Sequence, residues 1–395
     1  MHNFDLMRAR NETRHCNDIV HFNNAGSSLM PVPVSNAIHA YLQQEEAMGG
    51  YETASAQEAK LGNFYQATAK LLSCHPDEIA FVENATRAWD MAFYAFRFQP
   101  GDRILTTVAE YGSNIIAYLQ QSQRYGVQVD VVPNDKYGQI DCHALENMLD
   151  ERVKLISITH IPTGGGLVNP VSAVGNIARA ASIPFILDAC QSAGQLPLNV
   201  SEIGCDILSA TGRKFLRGPR GTGFLYVRRE LIESLEPPFL DNHAAELLSP
   251  SSYVIRKDAK RFENWEQNFA GKAALGVAID YALGWDLKNI KARVYALADR
   301  LRQKLAAIDS VQLTDEGQER CGIVTFMSTH MPAPDIQTAL AQHRINVSSS
   351  GPLGTIYSFR QRNLGHVVRA SVHYFNTFEE IDYFCDTLTR CLQEK

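Results

Sequence analysis

No stretch of this chain holds the roughly 20 consecutive apolar residues of a membrane span, so no membrane partner is expected. Residues Met1–Asn17 are polar and mixed in charge, without the apolar core of a secretory leader, and the expectation is a cytoplasmic protein. Basic runs are missing, as is any interleaving of basic with aromatic side chains. With a formal charge of -6, that excludes nucleic acid and anionic lipid as main partners. Cysteine is sparse: Cys16, Cys74, Cys142, Cys190, Cys205, Cys321, Cys385 and Cys391 are scattered and form no CxxC pair. Such spacing suits neither a disulfide frame nor a zinc site, so reduced thiols and no metal are expected. Repeats, low-complexity tracts and flexible linkers are absent too. Gly164–Gly166 lacks the Lys-Ser/Thr that would make it a nucleotide loop.

What is present is an ordinary globular composition, 45% hydrophobic and 20% charged, in 395 residues. That length favours two domains over a single small core. Apolar, β-branched runs at Ile79–Val82, Arg103–Thr107, Val127–Val132, Leu155–Thr159, Phe185–Asp188, Ile207–Ala210 and Gly223–Val227 predict strands covered on both faces. Amphipathic stretches at Thr86–Arg97, Ile115–Tyr125, Cys142–Asp150 and Val171–Ala181 predict helices between them. The alternation gives the fold class as α/β, with a doubly wound, mainly parallel sheet. Beyond residue 255 the pattern changes to long helices (Ala270–Leu283, Ile290–Ile308), two strand-like runs (Gly322–Ser328, Val367–Val372) and a helical tail, Thr377–Gln393. The expected division is an N-terminal arm over 1–20, a large domain over 21–270 and a smaller α+β domain over 271–395.

Three places carry chemistry. Lys214 sits in a glycine-dense loop between two strand runs, with Arg213, Arg217 and Arg220 close in sequence. Like charges lower an amine's pKa and ready it as a nucleophile; an anion-binding loop without covalent chemistry is the alternative. Asp188 ends an apolar strand, where open α/β sheets place ligands, and can hold a pyridinium nitrogen protonated. A simple helix cap is the alternative there. At Asn84 to Thr86 a strand passes into a helix, and free N–H groups at its start suit a phosphate.

In chain order, Phe22-Asn-Asn-Ala-Gly-Ser27, Asn84-Ala-Thr86, Ala109-Glu-Tyr-Gly-Ser-Asn114, Asp188-x-x-Gln191, Thr211-Gly-Arg-Lys214 and Arg369-Ala-Ser371 form a specific set. With it, the chain resembles the class V aminotransferase family of fold-type-I pyridoxal-phosphate (PLP) enzymes over nearly its whole length. That family includes cysteine desulfurases, isopenicillin N epimerase and hercynylcysteine sulfoxide lyase. The resemblance implies the fold-type-I architecture with a seven-stranded sheet, PLP as cofactor, a small amino acid as substrate, and a homodimer with its active site at the subunit interface. It matches Lys214 to the lysine that bonds the cofactor aldehyde, Asp188 to the ring-nitrogen partner and Gln191 to the partner of the phenolic oxygen. Ala85, Thr86 and Thr211 match the phosphate cradle. Tyr111 stands where many relatives stack a histidine on the ring, Arg213 replaces a usual histidine near the phosphate, and Thr163 falls where many relatives carry asparagine. Arg369 matches the clamp on the substrate α-carboxylate, with Asn24 and Ala25 lining the same pocket.

Cysteine desulfurases use a mobile small-domain cysteine to attack the substrate sulfur, and Ile345–Tyr357 holds none; nothing lies between Cys321 and Cys385. Lys214-Phe-Leu-Arg-Gly-Pro-Arg-Gly221 and Arg261-Phe-Glu-Asn-Trp-Glu-Gln-Asn268 resemble the sulfoxide lyase and epimerase branch, whose second segment reaches into the neighbouring subunit. The expectation is therefore a PLP-dependent carbon–sulfur β-lyase. It would act on a cysteine S-conjugate or sulfoxide and release pyruvate and ammonia, with Lys214 as general base. Epimerisation or transamination stays open as the alternative. A cysteine desulfurase or a non-catalytic scaffold ranks below both.

Overall fold

The computed structural model describes residues 4–393, so the first three residues of the expected N-terminal arm lie outside the described residues. The expected strands form one seven-stranded sheet. From edge to edge its order is Ile79–Val82, Gly223–Val227, Ile207–Thr211, Phe185–Asp188, Val153–Thr159, Arg103–Thr107 and Gln128–Val132. Gly223–Val227 runs antiparallel to both of its neighbours, and the pairings from Ile207–Thr211 onward are parallel. Every residue of Phe185–Asp188, Ile207–Thr211 and Gly223–Val227 is buried. That is why these strands read as continuous apolar runs rather than alternating ones.

Register brings the functional end together. Asp188 lies beside Thr159 on one neighbouring strand and beside Ser209 on the other. The carboxyl ends of these parallel strands thus open on a single crevice, the usual ligand position in such sheets. The flanking helices begin close to their expected places. Ala85–Phe93 is capped by Asn84, Gly112–Tyr125 ends on Gly126 with φ +69°, and Cys142–Asn147 is capped by Asp141.

A second, four-stranded antiparallel sheet has the order Val311–Leu313, Ile323–Ser328, Val367–Ser371, Ser348–Ser350. Leu301, Phe326, Ile336, Phe384 and Leu388 pack a core of their own on it. The tail helix Phe378–Gln393 starts with a reciprocal cap, in which Thr377 Oγ1 accepts from the Glu380 N–H and the Glu380 carboxylate accepts from the Thr377 N–H. Val20–His21 pairs in parallel with Ile345–Asn346, and Asn23 bridges to Ser371. The segment from Asn23 to Ser28 is thereby carried from the small sheet to the mouth of the crevice.

Arg217 corrects one expectation. It does not add charge beside Lys214: its φ of +58° turns the side chain the other way. The buried guanidinium donates to Leu29 O (2.8 Å), Tyr374 Oη (2.7 Å) and Thr13 Oγ1 (2.6 Å), tying down the N-terminal segment. Arg220 is exposed.

Candidate active site

A cavity of about 250 Å³ opens at the carboxyl ends of the parallel strands. Ala85, Thr86, Tyr111, Thr163, Asp188, Gln191, Thr211, Arg213 and Lys214 all line it. Residues distant in the chain meet here because four strand ends and one helix start converge.

The phosphate end is built by the helix Ala85–Phe93. The Asn84 side chain accepts from the Arg87 N–H at 2.8 Å, which leaves the amides of Ala85 and Thr86 at the cavity wall. Gly223 lets this helix start approach the sheet. A Cβ there would sit 2.7 Å from Ala210 O, 3.0 Å from the Asn84 carbonyl carbon and 3.1 Å from Ala85 N. Thr211 and Arg213 complete this end, and Arg213 Nη1 is anchored on Gly26 O.

Asp188 is 5% exposed. One carboxylate oxygen accepts from the Cys190 N–H at 2.9 Å and the other from Asn114 Nδ2 at 3.3 Å. Lys214 lines the same cavity. Loss of solvation pushes its amine below the ordinary lysine value, and Arg213 and Arg369 push it further while Cys190 and Asp188 oppose them. Proximity of arginine thus does contribute, through Arg213 and the distant Arg369 rather than Arg217 or Arg220.

At the substrate end Arg369 is 7% exposed, and burial, then Arg213, push its guanidinium down to about 10. Its Nη1 donates to Thr163 Oγ1 at 2.6 Å and Thr163 O at 3.1 Å, and its Nη2 to Asn23 Oδ1 at 3.5 Å. Asn24 and Ala25 do not line the cavity. Asn24 is wholly buried, with Nδ2 on Ser371 O at 2.8 Å and Oδ1 accepting from Ser28 Oγ at 2.7 Å, so its side chain serves the framework. Ala25 touches the site through its carbonyl, which accepts from Gln191 Nε2 at 3.1 Å. Asn23, one residue earlier, is the side chain that reaches Arg369.

The sequence reading did not single out Cys190, Thr159 and Ile161, which also line the cavity. The position of Cys190, two residues beyond Asp188, was the available signal. His373, which flanks Arg369 in sequence, is a framework residue: it is wholly buried, with Nε2 on Phe215 O at 2.9 Å.

Two polar groups fit a bound ring and substrate. Gln191 Oε1 and Arg369 Nε are buried without a protein partner among the described residues. An amine, an acid and a helix start around one cavity, with a guanidinium beside it whose Nε is still free to donate, are what PLP and an amino acid need.

The class V aminotransferase family model matches residues 20–384. The chain belongs to that family. A probable cysteine desulfurase of Methanothermobacter thermautotrophicus is 30% identical to it over 377 residues, covering 94% of each chain. The apo structure of a cysteine desulfurase from Thermococcus onnurineus superposes with a TM-score of 0.92 at 25% identity, covering 100% of both chains. A C-DES mutant with glycine covalently linked to its PLP cofactor superposes with a TM-score of 0.86 at 21% identity, covering 96% of this chain and 98% of that one. The protein is thus a PLP-dependent enzyme of class V with the fold-type-I architecture, related to cysteine desulfurases as expected.

The relatives overturn the expected reaction. Reading the chain as a carbon–sulfur β-lyase of S-conjugates or sulfoxides, with desulfuration ranked low, is corrected by relatives that are named cysteine desulfurases along nearly the whole chain. The physical flaw is plain. A missing cysteine in Ile345–Tyr357 says where a sulfur acceptor is not; it does not say which bond breaks or which product forms.

Proposed function

We propose that this enzyme removes sulfur from L-cysteine, with the acceptor thiol supplied from outside the small-sheet loop. The observation that carries the reading is the meeting of Lys214 and Asp188 on one cavity with Arg369 bonded to Thr163 of its wall, in a chain that aligns over 94% of its length with a probable cysteine desulfurase.

The cofactor, when bound, supplies an aldehyde for amine exchange and a ring that takes up the electron pair from Cα. Lys214 would provide the amine that holds the cofactor by its aldehyde and, once free, would accept the Cα proton. Its lowered pKa favours the neutral form that this task requires. Asp188 would keep the ring nitrogen protonated, and Gln191, whose Oε1 is free, would hold the phenolic oxygen. Ala85, Thr86, Thr211 and Arg213 would hold the phosphate, and Tyr111 would supply an aromatic wall to the ring. Arg369, steadied by Thr163, clamps the substrate carboxylate. A thiolate attacks the substrate Sγ and forms the new S–S bond as Cβ–Sγ breaks. The electron pair of the broken bond ends on Cβ, which takes a proton; Lys214 would then return its proton to Cα as the electron pair goes back there, so the products are alanine and a persulfide.

The same reading makes the enzyme a cytoplasmic homodimer. Leu247, Leu248 and Tyr253 of the exposed hairpin Ala245–Ile255, with Trp265, form apolar surface suited to cover by a second copy. Within this reading the small domain begins beyond the helix Phe269–Trp285 rather than at the expected 270, because Ala274, Leu275, Ala278 and Ile279 share a core with Phe185, Leu187 and Phe224.

The test is to incubate the PLP-loaded protein with L-cysteine and dithiothreitol and to follow alanine, sulfide, pyruvate, D-cysteine and keto acid together. Alanine equal to sulfide is the expected result. Pyruvate without alanine, racemisation or keto acid alone overturns the proposal.

A further inference from the structure

Behind Asp188 lies a second carboxylate that the function above leaves unused. Glu110 follows the strand Arg103–Thr107 and is wholly buried. Its Oε1 accepts from Thr159 Oγ1 at 2.5 Å, the Tyr111 N–H at 2.8 Å and Asn114 Nδ2 at 2.9 Å. Its Oε2 accepts from Thr106 Oγ1 at 2.8 Å and Tyr118 Oη at 3.3 Å. Burial raises the carboxyl's pKa above its ordinary value, and the hydrogen bonds from Thr159, Thr106, Tyr111 and Asn114 offset part of that rise. Against that rise stand five groups able to donate at once, of which the Tyr111 N–H and the Asn114 amide can only donate, and such a set suits the ionised form.

Asn114 is the link. It is 3% exposed, and its Nδ2 donates both to Glu110 Oε1 and, at 3.3 Å, to Asp188 Oδ2. An amide nitrogen carries two N–H groups, and here each ends on a different carboxylate. Turning the amide over would set its oxygen against two negative charges, so this orientation is fixed.

We propose that Glu110 is a positioning residue which, through Asn114, holds Asp188 in place and strengthens its grip on the proton of the cofactor's ring nitrogen. This rests on Asp188 being that nitrogen's partner. A fixed negative charge one amide behind Asp188, shielded from water, favours positive charge on the far side of Asp188. The other titratable groups nearby leave that field intact around neutral pH. Tyr118 and Tyr357 face Glu110 and Cys190 faces Asp188, and burial pushes all three upward, so each stays neutral. Lys214 and Arg213 lie on the cavity side.

The experiment loads wild type, Glu110→Gln, Asn114→Val and Asp188→Ala with PLP isotope-labelled at the ring nitrogen and follows that nitrogen's NMR shift with pH. Thermal stability is recorded in parallel. In wild type the nitrogen stays protonated at neutral pH. In Glu110→Gln and in Asn114→Val its titration midpoint falls by about one pH unit, and a variant that combines Glu110→Gln with Asn114→Val moves no further than the larger single shift. Should Glu110→Gln fail to fold, Asn114→Val decides alone, since it cuts the bridge and keeps Glu110's other donors. Variants that lose thermal stability while the nitrogen titrates as in wild type overturn the inference, because packing alone then explains Glu110. A nitrogen that responds to Asp188→Ala but not to Glu110→Gln or Asn114→Val sinks this inference only. One that ignores Asp188→Ala as well sinks the reading of the site.

Discussion

Arg369 and Thr163 are 206 positions apart in the chain, yet the guanidinium meets both the hydroxyl (2.6 Å) and the carbonyl (3.1 Å) of Thr163. The pair joins the small sheet to the cavity wall and fixes the fork before any substrate arrives. Thr163→Val removes one charge-assisted hydrogen bond, a loss of about 1.5–3 kcal/mol. The expected result is a KM for L-cysteine raised about 10–100-fold with a smaller change in kcat. An unchanged KM with a collapsed kcat would place Arg369 elsewhere than on the substrate carboxylate.

Gly223 gives a test of the phosphate end that leaves every polar group in place. Its missing Cβ lets the Asn84–Ala85 turn pack on the sheet. Gly223→Ala has to push that turn outward, because all three nearest atoms are backbone and two of them belong to the turn. The expected outcome is PLP affinity weakened at least tenfold, read by equilibrium dialysis, with a small loss of stability. Wild-type affinity in this variant would show that the helix start does not hold the phosphate.

These contacts also mark what the sequence alone could tell. The central strands were legible because burial on both faces leaves continuous apolar runs, and Asp188 and Lys214 because they stand at strand ends. The helix Val32–Met48 was not singled out: only Val34 and Tyr41 along it are buried, so its apolar period is faint. Arg217 was misplaced because its direction depends on a left-handed backbone angle, which sequence spacing does not encode. Asn24 was favoured over Asn23 because neighbouring asparagines look alike until the bridge at Asn23 sets which one points inward. Glu110 lay inside a quoted motif, but its environment comes from Thr106, Thr159 and Tyr118, on three separate elements.

The segment leading to Trp265 is anchored by a buried charge cluster. Glu263 accepts from Tyr65 Oη at 2.9 Å, the Phe81 N–H at 2.8 Å and Gln267 Nε2 at 2.9 Å, with Lys272 Nζ 3.8 Å away. Lys272 also donates to Tyr65 Oη at 2.6 Å. Lys272→Met leaves Glu263 buried without its cation and is expected to cost about 3–5 kcal/mol in denaturant unfolding. Glu263→Gln with Lys272→Met together should recover part of that loss. If the single variant unfolds like wild type, the cluster is not a charge pair in the folded protein.

His160 gives the chain an acid-sensitive point outside the chemistry. It follows Thr159, is 5% exposed, and its Nδ1 has no partner among the described residues. Burial pushes its pKa from 6.5 down to about 4. Between those values the unfolded chain binds a proton that the folded chain does not, so stability rises with pH there and falls on acidification. The contribution is fully present above pH 6.5 and is lost as the pH drops towards 4, at up to about 1.4 kcal/mol per pH unit. Urea unfolding of wild type and His160→Gln at matched pH values checks this. The difference in unfolding free energy should swing by about 3 kcal/mol in favour of the variant between pH 7 and pH 4. Parallel curves for the two proteins across that range would mean that His160 takes up its proton equally well in the folded chain.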